Sequence, residues 1–265
     1  MKIIRFQTDT ETGRAALQDD RRALVIEGDI FSNFRVSNRV VENFQLLAPV
    51  QPTVIMCIGL NYRQHALETG APIPTYPVLF FKAPTALQHP NQPILLPTHL
   101  KSDQVDYEGE LAVIIGKRCK NATRQNALDF VLGYSCGNDV SARDWQKARG
   151  GSQWSRGKTF DTFCPLGPVL VTRDEITDPN SLALQTFLNG EMVQSSNTSD
   201  MIFDVPTLIE FLSGSTTLEA GTVILTGTPS GVGMARTPPL WLKAGDEVTV
   251  EIERIGRLTN PVRDE

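Results

Sequence analysis

Short apolar runs rich in branched side chains recur along most of the chain, and they restrict its fold more than any other feature. Examples are TVIMCIGL from position 53, ELAVIIG from position 110 and GTVILTGTP from position 221. Runs of about four to eight such residues between turn-forming residues are typical of buried β-strands. Helical periodicity is weak and confined to NYRQHALE, RQNALDFV, ARDWQKA and VPTLIEFLSG. We therefore predict an α+β, β-rich protein with a large curved mixed sheet, and not the strand–helix alternation of a Rossmann fold.

The first 49 residues differ in pattern from the rest. Residues 1–31 alternate apolar and polar positions in short runs, which predicts a small β-meander. The segment SNRVVENFQLLAPVQP, residues 37–52, is predicted to contain a short helix that runs into a proline-punctuated linker. We therefore predict a small N-terminal β domain over residues 1–49 and a larger domain over residues 50–265.

Charge and composition exclude several classes of protein. The formal net charge is −5, and the chain has no cluster of Lys and Arg that would bind a polyanion, so we expect no nucleic-acid partner. No apolar run approaches the ~20 residues that a membrane span needs, and the N-terminus lacks the apolar core of a signal peptide. We therefore expect a cytoplasmic protein without a membrane partner. The four cysteines lack metal-site spacing and are expected to be reduced, buried thiols.

Three acidic residues stand at the ends of predicted strands. Glu108 and Glu110 lie one residue apart, so in a strand their side chains point to the same face. A Glu-x-Glu pair is also common on an exposed strand face. Asp139, however, follows another apolar strand, at a position where functional loops collect. Three carboxylates without His or Cys suit Mg²⁺ or Mn²⁺ and not zinc, so we predict these residues as metal ligands.

His65 and Glu68 are a candidate catalytic pair. They lie three residues apart, on one face of a short helix that Gly70 and Pro72 end. The carboxylate can orient the imidazole as a general base, although an ordinary surface pair has the same spacing. A helix of barely two turns is marginal by itself, which favours a lid that a ligand orders.

Four further residues are candidates for charge balance and substrate binding. Lys158 can balance the charge of the carboxylates, with a solvated surface lysine as the alternative. Arg143 and Gln146 lie three residues apart on a predicted helix and can present a guanidinium and an amide to a substrate carboxylate. Thr228 lies in the loop LTGTPSGVG, whose backbone N–H groups predict an anion-binding nest, although many such loops are simple turns.

Together these segments resemble the fumarylacetoacetate hydrolase family, and in particular its domain-containing protein 2 branch. The resemblance runs from about Val54 to the C-terminus through GLNYRQHALE, EGELAVIIGK, GYSCGNDVSARDWQ, GKTFDTFCPLGP and VILTGTPSGVG. It implies a mixed β-roll with short helices, a homodimer, and one Mg²⁺ or Mn²⁺ ion in each subunit. It also implies the roles of the matching residues: the metal ligands Glu108, Glu110 and Asp139, and the catalytic residues His65, Glu68 and Lys158.

The resemblance further implies a metal-dependent enzyme that acts on small 2-oxo or 2,4-dioxo acids through a metal-bound enolate. Hydrolysis of a C–C bond in an acylpyruvate is the expected reaction. Tautomerisation or decarboxylation of oxaloacetate is the alternative, and a scaffold that binds a carboxylate ligand without turnover is another. Longer family members carry an extra acidic ligand where this chain reads Gly59-Leu60-Asn61-Tyr62, so fumarylacetoacetate itself is not the expected substrate.

Overall fold

A computed structural model describes residues 1–19 and 21–265 and consists mainly of strands. The strands are β1 (Lys2–Gln7), β2 (Thr12–Asp19), β3 (Arg22–Gly28), β4 (Phe34–Glu42), β5 (Gln45–Leu47), β6 (Ile55–Gly59), β7 (Val78–Lys82), β8 (Leu87–Gln88), β9 (Ile94–Leu96), β10 (Val105–Asp106), β11 (Gly109–Ile115), β12 (Cys119–Lys120), β13 (Val131–Asn138), β14 (Ser141–Ala142), β15 (Cys164–Thr172), β16 (Ala183–Leu188), β17 (Glu191–Asn197), β18 (Thr217–Leu218), β19 (Val223–Leu225), β20 (Glu247–Ile252) and β21 (Gly256–Asp264). The α-helices are α1 (Arg63–Glu68), α2 (Arg143–Gln146), α3 (Trp154–Lys158) and α4 (Val205–Ser213). Single 3₁₀ turns cover Pro84–Ala86, Ala127–Phe130, Thr198–Asp200 and Gly233–Ala235.

The larger sheet has twelve strands in the described part of the chain. Its main path runs β4-β3-β2-β1-β15-β13-β11-β19-β6-β7, with β5 paired to β1 and β8 paired to β15. Neighbouring strands are antiparallel except β6 on β19 and β8 on β15, which are parallel. Every residue of the central strand β11 is buried, which explains the unbroken apolar run from Leu111 to Ile115. The predicted β-rich mixed architecture with few short helices is therefore confirmed.

A second sheet of five strands, in the order β17-β16-β20-β21-β9, packs against the larger one. Their contact holds one apolar cluster, to which β11 contributes Leu111 and Val113 and the smaller sheet contributes Leu184, Val250 and Ile252. Full burial of each such side chain is worth roughly 1.5–3 kcal/mol relative to exposure. The core between the two sheets is thus the main support for the ends of β11 and β13.

The helix predicted within residues 37–52 is wrong. Strand β4 covers the first part of that segment, residues 37–42, and pairs with β3, with Leu24 opposite Val40 and Arg22 opposite Glu42. Asn43 then adopts φ 53°, a left-handed turn that leads directly into β5. The branched side chains of this segment suit a strand, and pairing with β3 outweighs the weak helical spacing.

The N-terminal strands continue the larger sheet, because β1 pairs with β15 through Ile3 and Leu170. Division of the chain into domains over residues 1–49 and 50–265 stays a prediction. Within residues 1–19 and 21–265, no helix is both long enough and apolar enough to span a bilayer.

Candidate active site

The antiparallel pairing of β11 and β13 brings the three predicted acidic ligands together. Gly109 lies opposite Asn138, so the start of β11 meets the end of β13. The Glu108 N–H donates to Asn138 Oδ1 at 3.0 Å, and the Asp139 N–H donates to the Glu108 carbonyl at 2.8 Å. One carboxylate oxygen from each of Glu108, Glu110 and Asp139 lies within 4.8 Å of the others, and all three residues are buried. This burial does not fit the exposed strand face that was the alternative for Glu108 and Glu110.

Two buried lysines compensate part of this negative charge. Lys158 Nζ donates to Glu108 Oε2 and to Asp139 Oδ2, both at 2.7 Å. Lys82 Nζ lies 2.6 Å from Asp139 Oδ1, but it donates its hydrogen bonds to the carbonyls of Val140, Lys158 and Phe163. An ammonium has only three protons, so its contact with Asp139 is a charge contact without a hydrogen bond. The surface-lysine alternative for Lys158 does not fit, because the residue is 2% exposed.

Asp139 Oδ1 is consequently a buried oxygen that accepts no hydrogen bond from the described residues. The Lys82 ammonium, 2.6 Å away, is the positive charge that compensates it. This oxygen lies beside carboxylates of Glu108 and Glu110, so the available donors are all oxygens. These features fit a divalent cation that prefers oxygen ligands. The cluster can therefore hold a divalent metal ion, as the resemblance to the fumarylacetoacetate hydrolase family implies.

Burial and neighbouring charges separate the pKa values of the two glutamates. Burial raises the pKa of Glu110, and the nearby charges of Asp139 and Glu108 raise it further. Burial also acts to raise the pKa of Glu108, but the positive charges of Lys158 and Arg143 outweigh it and hold that pKa below its usual range. Burial acts to lower the pKa of Lys158, but the negative charges of Asp139 and Glu108 raise it. The net increase keeps the ammonium charged. Glu110 is thus the carboxylate that gains most from a nearby cation.

Arg143 connects this cluster to a second buried acid, Asp106. Its Nη2 lies 2.6 Å from Glu108 Oε1 and 2.8 Å from Asp106 Oδ2. Its Nε donates to Asp106 Oδ2 at 2.9 Å, and its Nη1 donates to Gln146 Oε1 at 3.0 Å. Asp106 and Lys82 are absent from the residues predicted from the sequence. Asp106 precedes Glu108 and Glu110 with the same two-residue spacing, which is the signal that identifies it.

Helix α1 brings His65 to the same place. Glu68 Oε1 lies 2.7 Å from His65 Nδ1, and both Glu68 oxygens accept the Gly231 N–H, at 3.0 and 2.9 Å. His65 is 8% exposed, which does not fit the surface pair that was the alternative. The predicted His–Glu pair is therefore formed, and the same carboxylate docks α1 onto the glycine-rich loop.

In the predicted anion nest, the N–H groups of three glycines bind carboxylates of the protein itself, and a substrate-binding role of this loop stays a prediction. The Gly227 N–H donates to Glu110 Oε2 at 2.7 Å, and the Gly233 N–H donates to Asp106 Oδ1 at 2.8 Å. With Gly231 bound to Glu68, three of the loop's N–H groups serve the protein's own carboxylates. The Thr228 hydroxyl donates to the Gly109 carbonyl at 3.0 Å.

One cavity of about 290 Å³ joins these groups. Its volume suits a small molecule. The charged and polar residues that line it are His65, Thr69, Glu108, Glu110, Arg143, Gln146, Lys147, Lys158 and Thr228. Its apolar wall consists of Ile58, Leu60, Phe80, Trp154 and Met234. Seven of the nine predicted site residues thus line this cavity. Of the other two, Glu68 contacts His65, and Asp139 accepts a hydrogen bond from Lys158.

Comparison with known proteins finds similar sequences over most of the chain. Residues 54–263 match the protein family described as fumarylacetoacetate (FAA) hydrolase C-terminal, and residues 1–49 match the family described as Rv2993c-like, N-terminal. The oxaloacetate tautomerase fahd2, mitochondrial, of Xenopus laevis is 47% identical over 259 residues, which are 97% of this chain and 78% of that protein.

Two solved structures share the fold over their full length. The 5-carboxymethyl-2-hydroxymuconate delta-isomerase from Mycobacterium smegmatis is 39% identical, with a TM-score of 0.88 and 100% of both chains covered. The fumarylacetoacetate hydrolase from psychrophilic Exiguobacterium antarcticum is 38% identical, with a TM-score of 0.89 and 100% of both chains covered.

These comparisons correct one expectation. The sequence led us to expect a cytoplasmic protein, but the similar Xenopus tautomerase is named as a mitochondrial protein. The absence of an apolar signal segment carried that expectation, and such an absence does not distinguish between compartments that a protein reaches by other signals.

Proposed function

Because the chain belongs to the fumarylacetoacetate hydrolase family and is an enzyme of that family, we propose that it catalyses keto–enol tautomerisation of oxaloacetate. One buried cavity with a His–Glu pair beside three carboxylates and a lysine carries this proposal. The choice of oxaloacetate, a small 2-oxo acid, is supported by the name of the Xenopus relative.

Glu108, Glu110 and Asp139 are the proposed ligands of a Mg²⁺ or Mn²⁺ ion. When bound, the ion supplies positive charge that stabilises the negative charge developing on the substrate's 2-oxygen. Lys158 neutralises part of the carboxylate charge through Glu108 Oε2 and Asp139 Oδ2 and leaves Asp139 Oδ1 free of hydrogen bonds.

His65 is the proposed group that moves the proton. The Glu68 carboxylate accepts the hydrogen bond that His65 Nδ1–H donates. A neutral imidazole therefore carries its proton on Nδ1 and has its lone pair on Nε2. Nε2 takes a proton from C3 of the keto form, and the electron pair of that C–H bond forms the C2=C3 double bond. The π electrons of the 2-carbonyl move to the 2-oxygen, which takes the proton back from the imidazolium to give the enol and restore the neutral imidazole; the reverse steps return the keto form. Glu68 stabilises the imidazolium while the proton is bound.

Arg143, Gln146 and Thr228 are the proposed substrate-binding residues. The Arg143 guanidinium is held in place by Asp106 and Gln146, so it needs no reorganisation when an anionic substrate enters. Burial acts to lower the pKa of Arg143, but the negative charges of Glu108 and Asp106 raise it. The net increase keeps the guanidinium protonated. The residue therefore offers a permanent positive charge to a dicarboxylate.

Hydrolysis of an acylpyruvate is a second candidate reaction, favoured by the apolar wall of the cavity. Ile58, Phe80 and Trp154 provide a surface that an acyl chain can contact. In this reaction His65 takes a proton from a water molecule, which attacks the 4-carbonyl carbon. The C3–C4 bond then breaks and yields a carboxylic acid and pyruvate.

One experiment separates these reactions. The protein is loaded with Mn²⁺ and incubated with oxaloacetate or with acetylpyruvate, while enol absorbance is followed and products are identified by NMR. Tautomerisation predicts faster keto–enol equilibration of oxaloacetate without new products. Pyruvate and acetate from acetylpyruvate alone indicate hydrolysis, and pyruvate and CO₂ from oxaloacetate indicate decarboxylation; both contradict the main proposal. No change with either substrate supports a protein that binds without turnover.

The matched control for this assay is the Asp139→Asn variant with the same Mn²⁺ concentration, because free divalent ions themselves accelerate reactions of oxaloacetate. We expect the variant to give the rate of Mn²⁺ alone. Removal of the ion from the wild-type protein by EDTA is expected to lower the rate to that of substrate without protein or metal, with activity restored by Mn²⁺ or Mg²⁺.

A further inference from the structure

Gly231 is bound on both sides of its Cα by residues from different parts of the chain. Its N–H donates to both oxygens of Glu68 on α1, and its carbonyl accepts the Tyr107 hydroxyl at 3.0 Å. Its φ of 102° is a conformation that favours glycine, and a Cβ there would lie 2.2 Å from the Val193 carbonyl oxygen. The backbone at Gly231 is therefore confined between β17, Tyr107 and the helix that carries His65.

Asp106, the neighbour of Tyr107, fixes the next part of the same loop. Its Oδ1 accepts the Gly233 N–H at 2.8 Å, and its Oδ2 accepts the Met234 N–H at 3.0 Å. The same Oδ2 accepts the Nε–H of Arg143. Asp106 and Tyr107, the two residues immediately before Glu108 in the chain, thus hold the loop Gly231–Met234 in place.

We propose that Tyr107 and Asp106 are positioning residues, which hold the Gly231–Met234 loop in the place where α1 docks and thereby set the position of His65 in the cavity. The role of His65 in this inference rests on the proposed function. A hydrogen bond weakens steeply outside a narrow range of distance and angle, so a small shift of Gly231 weakens its bond to Glu68. A shift of His65 by about 1 Å is enough to lower a reaction rate by up to about a hundredfold.

The surroundings of Tyr107 support a specific role for its hydroxyl. The side chain is buried in an apolar cluster with Val105, Val140, Phe163 and Val193. A phenylalanine fills the same space, and a hydroxyl in such surroundings is unfavourable unless it is hydrogen-bonded. The bond to the Gly231 carbonyl is the hydrogen bond that this hydroxyl donates.

The first test compares Tyr107→Phe with Tyr134→Phe. Tyr134 is the matched control, because it is equally buried and its hydroxyl has no hydrogen-bond partner among the described residues. We expect Tyr107→Phe to increase amide hydrogen exchange of residues 63–70 about threefold or more, with α4 unchanged, and to lower kcat about fivefold to tenfold at unchanged Mn²⁺ affinity. Exchange and kcat equal to those of the control variant would overturn the proposal.

The second test is a double-mutant cycle with Glu68→Ala, which removes the contact of α1 with the loop. If Tyr107 acts through that contact, Tyr107→Phe lowers kcat less than about twofold in the Glu68→Ala background and leaves the exchange of residues 63–70 unchanged there. Independent, multiplying losses would overturn the inference. Hydrogen exchange is measured without substrate, so it decides the positioning role even if the protein does not tautomerise oxaloacetate.

Asp106→Asn provides a further variant, since it keeps the side-chain size and replaces one acceptor oxygen by an amide nitrogen. We expect the same increase in exchange at residues 63–70, together with a rise in KM because Arg143 also loses its partner. A general loss of protection that includes α4 would indicate a purely structural role and overturn the assignment for Asp106.

Discussion

At the scale of single residues, the site is an array of buried charges in which almost every charge has an opposite partner. Buried carboxylates and cations alternate through space, and removal of one partner leaves another charge uncompensated at a cost of several kcal/mol. The carboxylates are those of Asp106, Glu108, Glu110 and Asp139, and the cations are Lys82, Arg143 and Lys158. The acids exceed the cations by one, which favours the entry of an additional positive ion.

Lys82 is expected to be important for stability. It is 2% exposed, contacts Asp139 and donates to three backbone carbonyls. We expect Lys82→Met to lower the free energy of unfolding by about 3–5 kcal/mol without Mn²⁺, and by less with Mn²⁺, because the ion compensates Asp139. Chemical denaturation measures both values. Lys120→Met, at an exposed position on β12, is the control, and a loss below about 1 kcal/mol for Lys82→Met would contradict the expectation.

His65 is expected to act in turnover and not in ion binding. His65→Ala should lower kcat for the tautomerisation by about 10²–10⁴, the usual contribution of a general base, because His65 is the one imidazole among the described residues that line the cavity. Calorimetric titration should show unchanged Mn²⁺ affinity. The exposed residue His99 provides the matched control, His99→Ala. A change in kcat smaller than about threefold would rule out the proton-transfer role.

The sequence predicts those site residues that carry a local signal. Spacing identifies Glu108 with Glu110 and His65 with Glu68, because i+2 on a strand and i+3 on a helix determine which side chains meet. Lys82 has no such signal, since a lysine at the end of an apolar strand is normally solvated. Its burial follows from the carbonyls of residues that lie 58 to 81 positions away in the chain, and only the fold brings them together.

At the scale of elements, the close contact between β6 and α3 determines the shape of the cavity. A Cβ at Gly59, the last residue of β6, would lie 2.1 Å from Trp154 Cζ3 at the start of α3. The Trp154 ring packs edge-on against Phe80, with 5.8 Å between the ring centroids, and both rings form part of the apolar wall. The absence of a side chain at Gly59 therefore leaves the space that the indole occupies.

Gly59→Ala is expected to displace the Trp154 ring towards the cavity. We expect KM for oxaloacetate to rise about tenfold, with a stability loss of about 1–3 kcal/mol from overpacking. Steady-state kinetics and tryptophan fluorescence measure these effects. Gly214→Ala, at the end of α4, is the control, because the nearest atom to its Cβ is 3.3 Å away and its φ is −61°. An unchanged KM and emission maximum would show that the ring does not limit the cavity.

Elements could be predicted where their own residues favour them, and not where a distant partner decides. Helices α1 and α4 lie within segments with helical spacing, and α4 is capped by Asp204 Oδ1, which accepts the Thr207 N–H at 3.0 Å. Strand β4 lies in a segment with weak helical spacing, but β3 pairs with it on both sides of a β-bulge. That pairing depends on a hairpin partner, which the spacing within the segment does not reveal.

At the scale of the whole molecule, the N-terminal strands and the site share a common core. Ile4 and Phe6 of β1 belong to the same apolar cluster as Leu111 and Val113 of β11, the strand that carries Glu110. No apolar cluster is confined to residues 1–49 in the described part of the chain. Local spacing could not predict this continuity, because it depends on the pairing of β1 with β15.

The shared core predicts one cooperative unfolding transition. Phe6→Ala should lower the free energy of unfolding by about 3–5 kcal/mol and shift the whole transition, including the tryptophan signal. All three tryptophans lie after residue 140, so their fluorescence reports on a distant part of the chain. Val36→Ala, at a position that is 38% exposed, is the control. Separate transitions by circular dichroism and fluorescence would indicate that the N-terminal strands unfold on their own.

The pairing of Ile3 with Leu170 has a consequence for synthesis on the ribosome. At roughly 5–20 residues per second, the partner strand is translated about 8–33 seconds after β1. During that interval the apolar side chains of the first hairpin lack the surface that later covers them. The nascent chain is therefore a natural client for chaperones that bind exposed apolar segments, until β15 (Cys164–Thr172) has emerged from the exit tunnel.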